Sequence, residues 1–163
     1  MTTFHCPVRG PYSDARVADF MDGTIAPMRL AVQTSGGFPV LLSLWFVRHE
    51  GTLVAAVHRD AKIVRRLEEN PRCAFEIALN TPPYRGVRGQ ATVRVDETRG
   101  GDVLEQLLLR YLGSVDSHLA RWLLSRRSEE LALVLDPVRI ESSDYSARMS
   151  DAGAGTGSGS LHH

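Results

Sequence analysis

Short apolar runs separated by hairpin-length turns constrain this chain more than any other feature in it. Residues 28–34, 39–48, 52–57, 73–79 and 87–95 read as strands. The breaks between them carry turn residues: Ser35-Gly36-Gly37, His49-Glu50-Gly51 and the Pro-rich corner NTPPYRG. Such short connections predict that the first three strands pair as an antiparallel meander. Residues 130–136 and 138–141 add final strands, interrupted at Pro137. One helix separates the third strand from the fourth. It is expected to start at an Asp60 cap, to bury Ile63, Val64 and Leu67, and to stop at Asn70 before Pro71. Ser13 is the expected cap of an earlier helix carrying Val17, Phe20 and Met21. Two later amphipathic stretches, 101–113 and 116–127, read as helices. The order predicts a mainly β, α+β fold: a small antiparallel barrel with flanking helices.

At 163 residues with 43% hydrophobic side chains, the chain has the size and apolar content for one domain with a core. Its 19 basic and 19 acidic residues cancel, which argues against a general nucleic-acid partner. The sequence holds no eighteen-residue apolar run and no signal-peptide pattern, so a cytoplasmic protein with no membrane partner is expected. Cys6 and Cys73 stand far apart with no metal-ligand spacing, so no metal site is expected. Cys73 reads as a buried strand thiol. His5-Cys6-Pro7 holds a Cys-Pro dipeptide of the kind that can ligate haem. Residues 147–163 are rich in Gly, Ser and Ala and are expected to be flexible, with SGSLHH reading as part of an expression tag.

The most informative stretch is VAAVHRDAKIVRRLEENPR. The start of a helix exposes unpaired N–H groups and a partial positive charge, which suit an anion. Arg59 and Lys62 stand at that start, and Arg65 and Arg66 follow one turn later. Cations there oppose the helix dipole, and an external phosphate would account for them. The competing reading is a solvated basic face in which Arg65 and Arg66 pair with Glu68, Glu69 or another acid. Lys62 is the single lysine among 18 arginines. A compact ammonium reaches a phosphate oxygen as a point charge where a planar guanidinium would not fit.

Other candidates have two readings each. His58 is either a phosphate partner or proton donor, or a hydrogen-bonded residue at a strand end. Trp45 and Phe46 in PVLLSLWFV either flank a flat ring system or pack in the core. Ser43, the polar residue inside that run, bonds either a ligand or the backbone. The sequence contains no nucleophile elbow, Walker loop or paired-carboxylate pattern. No catalytic residue is assigned; any redox chemistry would come from a bound cofactor.

Two stretches, MRLAVQTSGGFPVLLSLWFVRHEGTLVAAVHRDAKIVRRLEENPRCAFEI and then PPYRGVRGQATV, resemble in order the pyridoxamine-phosphate-oxidase-like split-barrel flavoproteins. The resemblance covers about residues 25–96, and LALVLDPVRIESSDYSARM is similar to that family's last strands. It implies an antiparallel split β-barrel of about six to seven strands spanning 25–146, preceded by a segment and short helix at 1–24. It implies a homodimer with cofactor sites at the interface and a small-molecule substrate. The implied cofactor is FMN, or the deazaflavin F-420 in one branch. Carried over by position, Lys62 and Arg59 would bind the cofactor phosphate with His58 beside them. Ser43, Leu44, Trp45 and Phe46 would line the flavin ring, partly through backbone groups, and Arg88 would approach from the same or the second subunit. The pattern departs from true pyridoxamine-phosphate oxidases, which carry an Arg and a Lys in the strand reading PVLLSLWF here, and Ser-Arg-Lys where this chain has Asp-Ala-Lys. The implied activity is therefore a flavin- or deazaflavin-dependent oxidoreductase acting on a substrate other than the vitamin. Storage or sensing of a flavin or haem without turnover is the alternative class.

Overall fold

The computed structural model of the chain describes residues 3–150. In chain order the elements are β1 (Val8–Arg9), α1 (Asp14–Gly23), β2 (Met28–Gln33), β3 (Pro39–Leu44), β4 (Val47–His49) and β5 (Thr52–His58). Then follow α2 (Lys62–Glu69), β6 (Arg72–Ala78), β7 (Arg85–Asp96), α3 (Gly100–Leu112), α4 (His118–Leu124), β8 (Glu130–Asp144) and α5 (Ser146–Ser150). Residues 146–150 are thus helical where flexibility was expected from 147; the rest of that tail, with its tag-like end, lies outside the described residues.

Local chemistry accounts for most element ends. Ser13 Oγ accepts from the Arg16 N–H and starts α1, and Ser117 Oγ does the same for α4 from the Ala120 N–H. Gly113, at φ +71°, closes α3 in the left-handed conformation that glycine tolerates.

The strands form one eight-stranded sheet in the order β3-β2-β6-β7-β8-β5-β4, with β1 pairing parallel to β8. Every other pairing is antiparallel. The expected meander of the first three strands is not formed: β3 pairs with β2, and β5 pairs with β4 and β8. The reason lies in residues 39–48, expected to be one strand. They break at Trp45 and Phe46, because the Phe46 ring turns fully into the core. This break sets the shape of the molecule. β3 and β4 lie at opposite ends of the strand order, yet two residues join them. Three Cα–Cα steps span at most about 11 Å, so the sheet must curl until its two edges nearly meet. The result is an antiparallel split barrel that does not close, the α+β architecture expected.

Alternation explains the interior. On β2 and β6 the inward residues Met28, Leu30, Val32, Cys73, Phe75 and Ile77 are buried, while their neighbours face outward. Burial pushes the Cys73 thiol up to about 11, consistent with an inert core cysteine. Helix α2 adds Ile63, Val64 and Leu67 to this core, and Asn70 caps its end as expected.

Pro137 does not interrupt the last strand. It sits where the β7–β8 register shifts, between Gln90 opposite Arg139 and Ala91 opposite Pro137. A bulge of this kind tolerates a residue with no N–H, so β8 runs unbroken for 15 residues. The stretch 116–127 is shorter in its helix than expected: α4 ends at Leu124, and a 3-10 turn, Arg127–Glu129, leads into β8.

Candidate functional site

The split itself is the candidate site. β3 pairs along one edge with β2, so the N–H and C=O groups on its other edge are unpaired within the sheet. Opposite stands β5, whose pairing with β4 ends at Val54, leaving that edge of residues 55–58 unpaired as well. Trp45 and Phe46 turn the chain from one of these edges to the other. A slot with two backbone lips results, closed at one end by Trp45 and Phe46. At its other end β5 runs into His58, Arg59 and the start of α2.

Helix α3 pins the closed end. Tyr111 Oη donates to Ala26 O (2.9 Å) and accepts from the Phe46 N–H (3.3 Å). The Tyr111 ring stacks on Trp45 at 5.0 Å between centroids and 5° between planes. Arg110 donates to the carbonyls of Met21, Asp22 and Thr24, which satisfies the end of α1, and its guanidinium lies 5.1 Å above the Phe46 ring. The hinge is therefore rigid. It also means that one face of the Trp45 ring is taken by Tyr111 and that the Phe46 ring is buried in the core. Of the stretch expected to line a flat ring, Ser43 and Leu44 lie on β3, the strand at the free edge of the sheet, and Ser43 is exposed.

At the other lip, His58 is held twice. Its Nδ1 accepts from the Asp60 N–H at 3.1 Å, which puts the proton of the neutral ring on Nε2, 3.3 Å from Glu129 Oε2. That hydrogen bond, helped by Arg126, holds the Glu129 carboxyl below its ordinary range against desolvation. Burial pushes the neighbouring Glu130 upward. The Arg59 guanidinium donates to Ser128 O at 2.9 Å and its backbone N–H to Glu129 O at 2.8 Å.

Asp60 does not cap α2. The N-cap is Ala61, which has no side chain to accept from the helix, and the first turn holds no acid. Asp60 instead stands 3.8 Å from His58. The first-turn N–H groups are thus left without a side-chain acceptor, and Lys62, the exposed first residue of the helix, has no ion partner among the described residues. Arg65 pairs with Glu69 at 3.2 Å, as the solvated-face reading expected of it.

The structure therefore places Ser43 and Leu44 on β3, at the free edge of the sheet, and His58, Arg59 and Lys62 at the end of β5 and the start of α2, with Trp45 and Phe46 at the turn between β3 and β4. Arg88 is elsewhere. It lies on the outward face of β7, 3.1 Å from Glu141. Around it lies what the sequence reading missed: an open cleft of about 580 Å³ lined by Arg9, Arg29, Arg88, Arg139, Glu76 and Glu141 among others. The signal was present in MRLAVQ and RCAFEI, where Arg29 and Glu76 occupy the outward phase of alternating strands. No cluster of three metal-ligating side chains occurs among the described residues. Among the described residues no helix is long and apolar enough to cross a membrane.

No protein-family model and no curated protein matches this chain. Solved structures do. A conserved hypothetical protein from Mycobacterium tuberculosis is 18% identical, with 94% of each chain covered and a TM-score of 0.72. An F420 reductase is 18% identical over 80% of this chain and 98% of its own, with a TM-score of 0.65. A candidate pyridoxamine 5'-phosphate oxidase from Listeria innocua is 12% identical over 79% and 98%, with a TM-score of 0.55. Heme-binding proteins are among the matches too. At these identities the likeness establishes the split-barrel fold, which carries more than one function.

Proposed function

We propose that this chain is a flavin-binding oxidoreductase that moves a hydride between an FMN ring held in the slot and a small organic substrate. The observation that carries the reading is the start of α2, an uncapped and acid-free helix end with Lys62 unpaired at its first position. It meets the needs of a phosphate: N–H donors, a favourable dipole and a point charge. The unpaired edge of β3 at Ser43 and Leu44 offers backbone donors and acceptors to the polar rim of a planar ring. The bound flavin would supply the redox chemistry. The chain's own part is to anchor the phosphate through Lys62 and the N–H groups of α2, to orient the ring along β3, and to keep the closed end of the slot dry with Trp45 and Phe46. His58, fixed by Asp60 and Glu129, stands beside the phosphate position as a hydrogen-bonded post. A second reading keeps these residues and replaces FMN with the deazaflavin F-420; the F420 reductase among the structural neighbours favours it.

The protein works in this reading as a homodimer. Helix α4 exposes Leu119 at 46% and Trp122 at 51%, an apolar surface for a second copy to cover. Parallel titrations with FMN and F-420, followed by absorbance, test the proposal. Saturable binding of one, weakened about tenfold or more in Lys62→Ala, is expected. A protein that binds neither, or binds heme alone, overturns it. Sedimentation velocity checks the dimer, with Trp122→Glu expected to shift it toward monomer.

A further inference from the structure

The outward sheet face carries charge that folding does not require. Across the register Ser43, Arg29, Glu76, Arg88, Glu141 and Arg9 stand level on successive strands, so the charges alternate in sign across the sheet. The next outward row is different. Leu41, Ala31, Ala74, Gln90 and Arg139 stand level, and the small side chains of Ala31 and Ala74 leave the sheet low there. Gly89 contributes bare backbone between the two rows. Its missing side chain is matched inside the barrel by the Phe75 ring, which a Cβ would meet at 2.6 Å. The bulge at Val138 bends β7 and β8 just beyond. These features make the cleft of about 580 Å³, a volume in the range of small-molecule sites.

Its electrostatics are one-sided. Four arginines face two glutamates. Arg88 is paired with Glu141, and Arg29 donates to Asn80 Oδ1 at 3.1 Å. Arg9 and Arg139 have no ion pair and no side-chain hydrogen bond among the described residues, although they border the same floor. A flat floor of alanine and backbone, an apolar wall at Leu41 and two free guanidinium groups at one end form a template with defined chemistry. We propose that this cleft binds a flat organic acid, its ring lying over Ala31 and Ala74 and its carboxylate held by Arg9 and Arg139. This inference goes beyond the oxidoreductase reading and does not rest on it, because the cleft lies on the outward face of the sheet and not in the slot.

The experiment compares 2-naphthoate with uncharged 2-naphthamide by calorimetry on the purified full chain, with FMN and F-420 titrated separately. Naphthoate is expected to bind at least tenfold more tightly than the amide. Arg9→Gln/Arg139→Gln should lower naphthoate affinity tenfold or more and leave the amide unchanged, because only the charge-assisted contacts are lost. Ala74→Leu, on an exposed position, should raise the floor and weaken both ligands. Equal binding of acid and amide, or wild-type affinity in the double arginine variant, overturns the proposal. Flavin binding without naphthoate binding overturns the cleft proposal and leaves the proposed cofactor site standing. Naphthoate binding by a protein that takes neither flavin supports the cleft and overturns the oxidoreductase reading.

Discussion

The two faces of the same strands answer to different demands. Residues one apart on β6 illustrate it: Phe75 is 3% exposed and fixed by the core, whereas Glu76 and Ala74 beside it point to solvent. On the inward face, each side chain is explained by the apolar volume it fills. On the outward face the part over β5 and the first half of β8 is explained as well, because α3 packs Val103 and Leu107 onto Val54, Ala132 and Val134. The part over β3, β2, β6 and β7 has no such cover, and its alternating charges and low alanine floor gain nothing for the isolated fold. A surface that folding leaves free is where composition reports on binding.

Substitutions should separate the two faces, and the largest effect belongs to the inward side. Phe46→Ala removes the fully buried ring that turns the chain from β3 into β4, and should cost about 3–5 kcal/mol in denaturant unfolding. A loss under about 1 kcal/mol would mean that the hinge does not depend on that ring. Next comes Tyr111→Phe, which keeps the stack on Trp45 but leaves the Phe46 N–H and the Ala26 carbonyl without their partner. It should destabilise by about 1–3 kcal/mol, with flavin affinity falling in parallel if the hinge shapes the slot. On the outward side, Ala74→Leu should change stability by no more than about 0.5 kcal/mol while blocking the cleft. An unfolding midpoint shifted as far as in Tyr111→Phe would erase the distinction between the faces.

The smallest effect lies at the rim where the faces meet. Asp144 accepts from Ser146 and from Tyr12 Oη, which hold its carboxyl down at about 2. Because the folded value is depressed, this contribution to stability is present above the ordinary aspartate range and is lost as pH falls through about 2. Thermal melts of wild type and Asp144→Asn should therefore differ at pH 5 and converge toward pH 2. Parallel curves over that interval would show that the carboxylate contributes nothing to the fold.

Much of the fold was legible in the residues. Turn dipeptides and alternation located the strands, and Asn70-Pro71 marked the end of α2. The failures share a cause. Asp60 has the right chemistry for a cap, but His58 and the turn before it shift the helix start to Ala61. Pro137 reads as a break until its position at a bulge is known. Trp45 and Phe46 read as a continuing strand because local pattern cannot show that Tyr111 and Arg110, far along the chain, will fasten them. At the site, the sequence picked out Lys62 through its rarity and its place at a helix start. It did not reveal that Arg59 donates to Ser128 O, that His58 is held by Asp60 and Glu129, or that Arg9, Arg29 and Arg139 converge.

What the sequence determined by itself is what short-range chemistry controls: strand phase, the helix ends at Ser13 and Asn70, the buried cysteine and the balance of charge. Periodicity and capping act within a few residues, so they are written locally. Tertiary structure alone decided that two residues would join opposite ends of the strand order and so open a slot. It also decided that arginines from β1, β2, β7 and β8 would share one face. Both depend on strand order, which is set by how the whole sheet curls to bury its inward side.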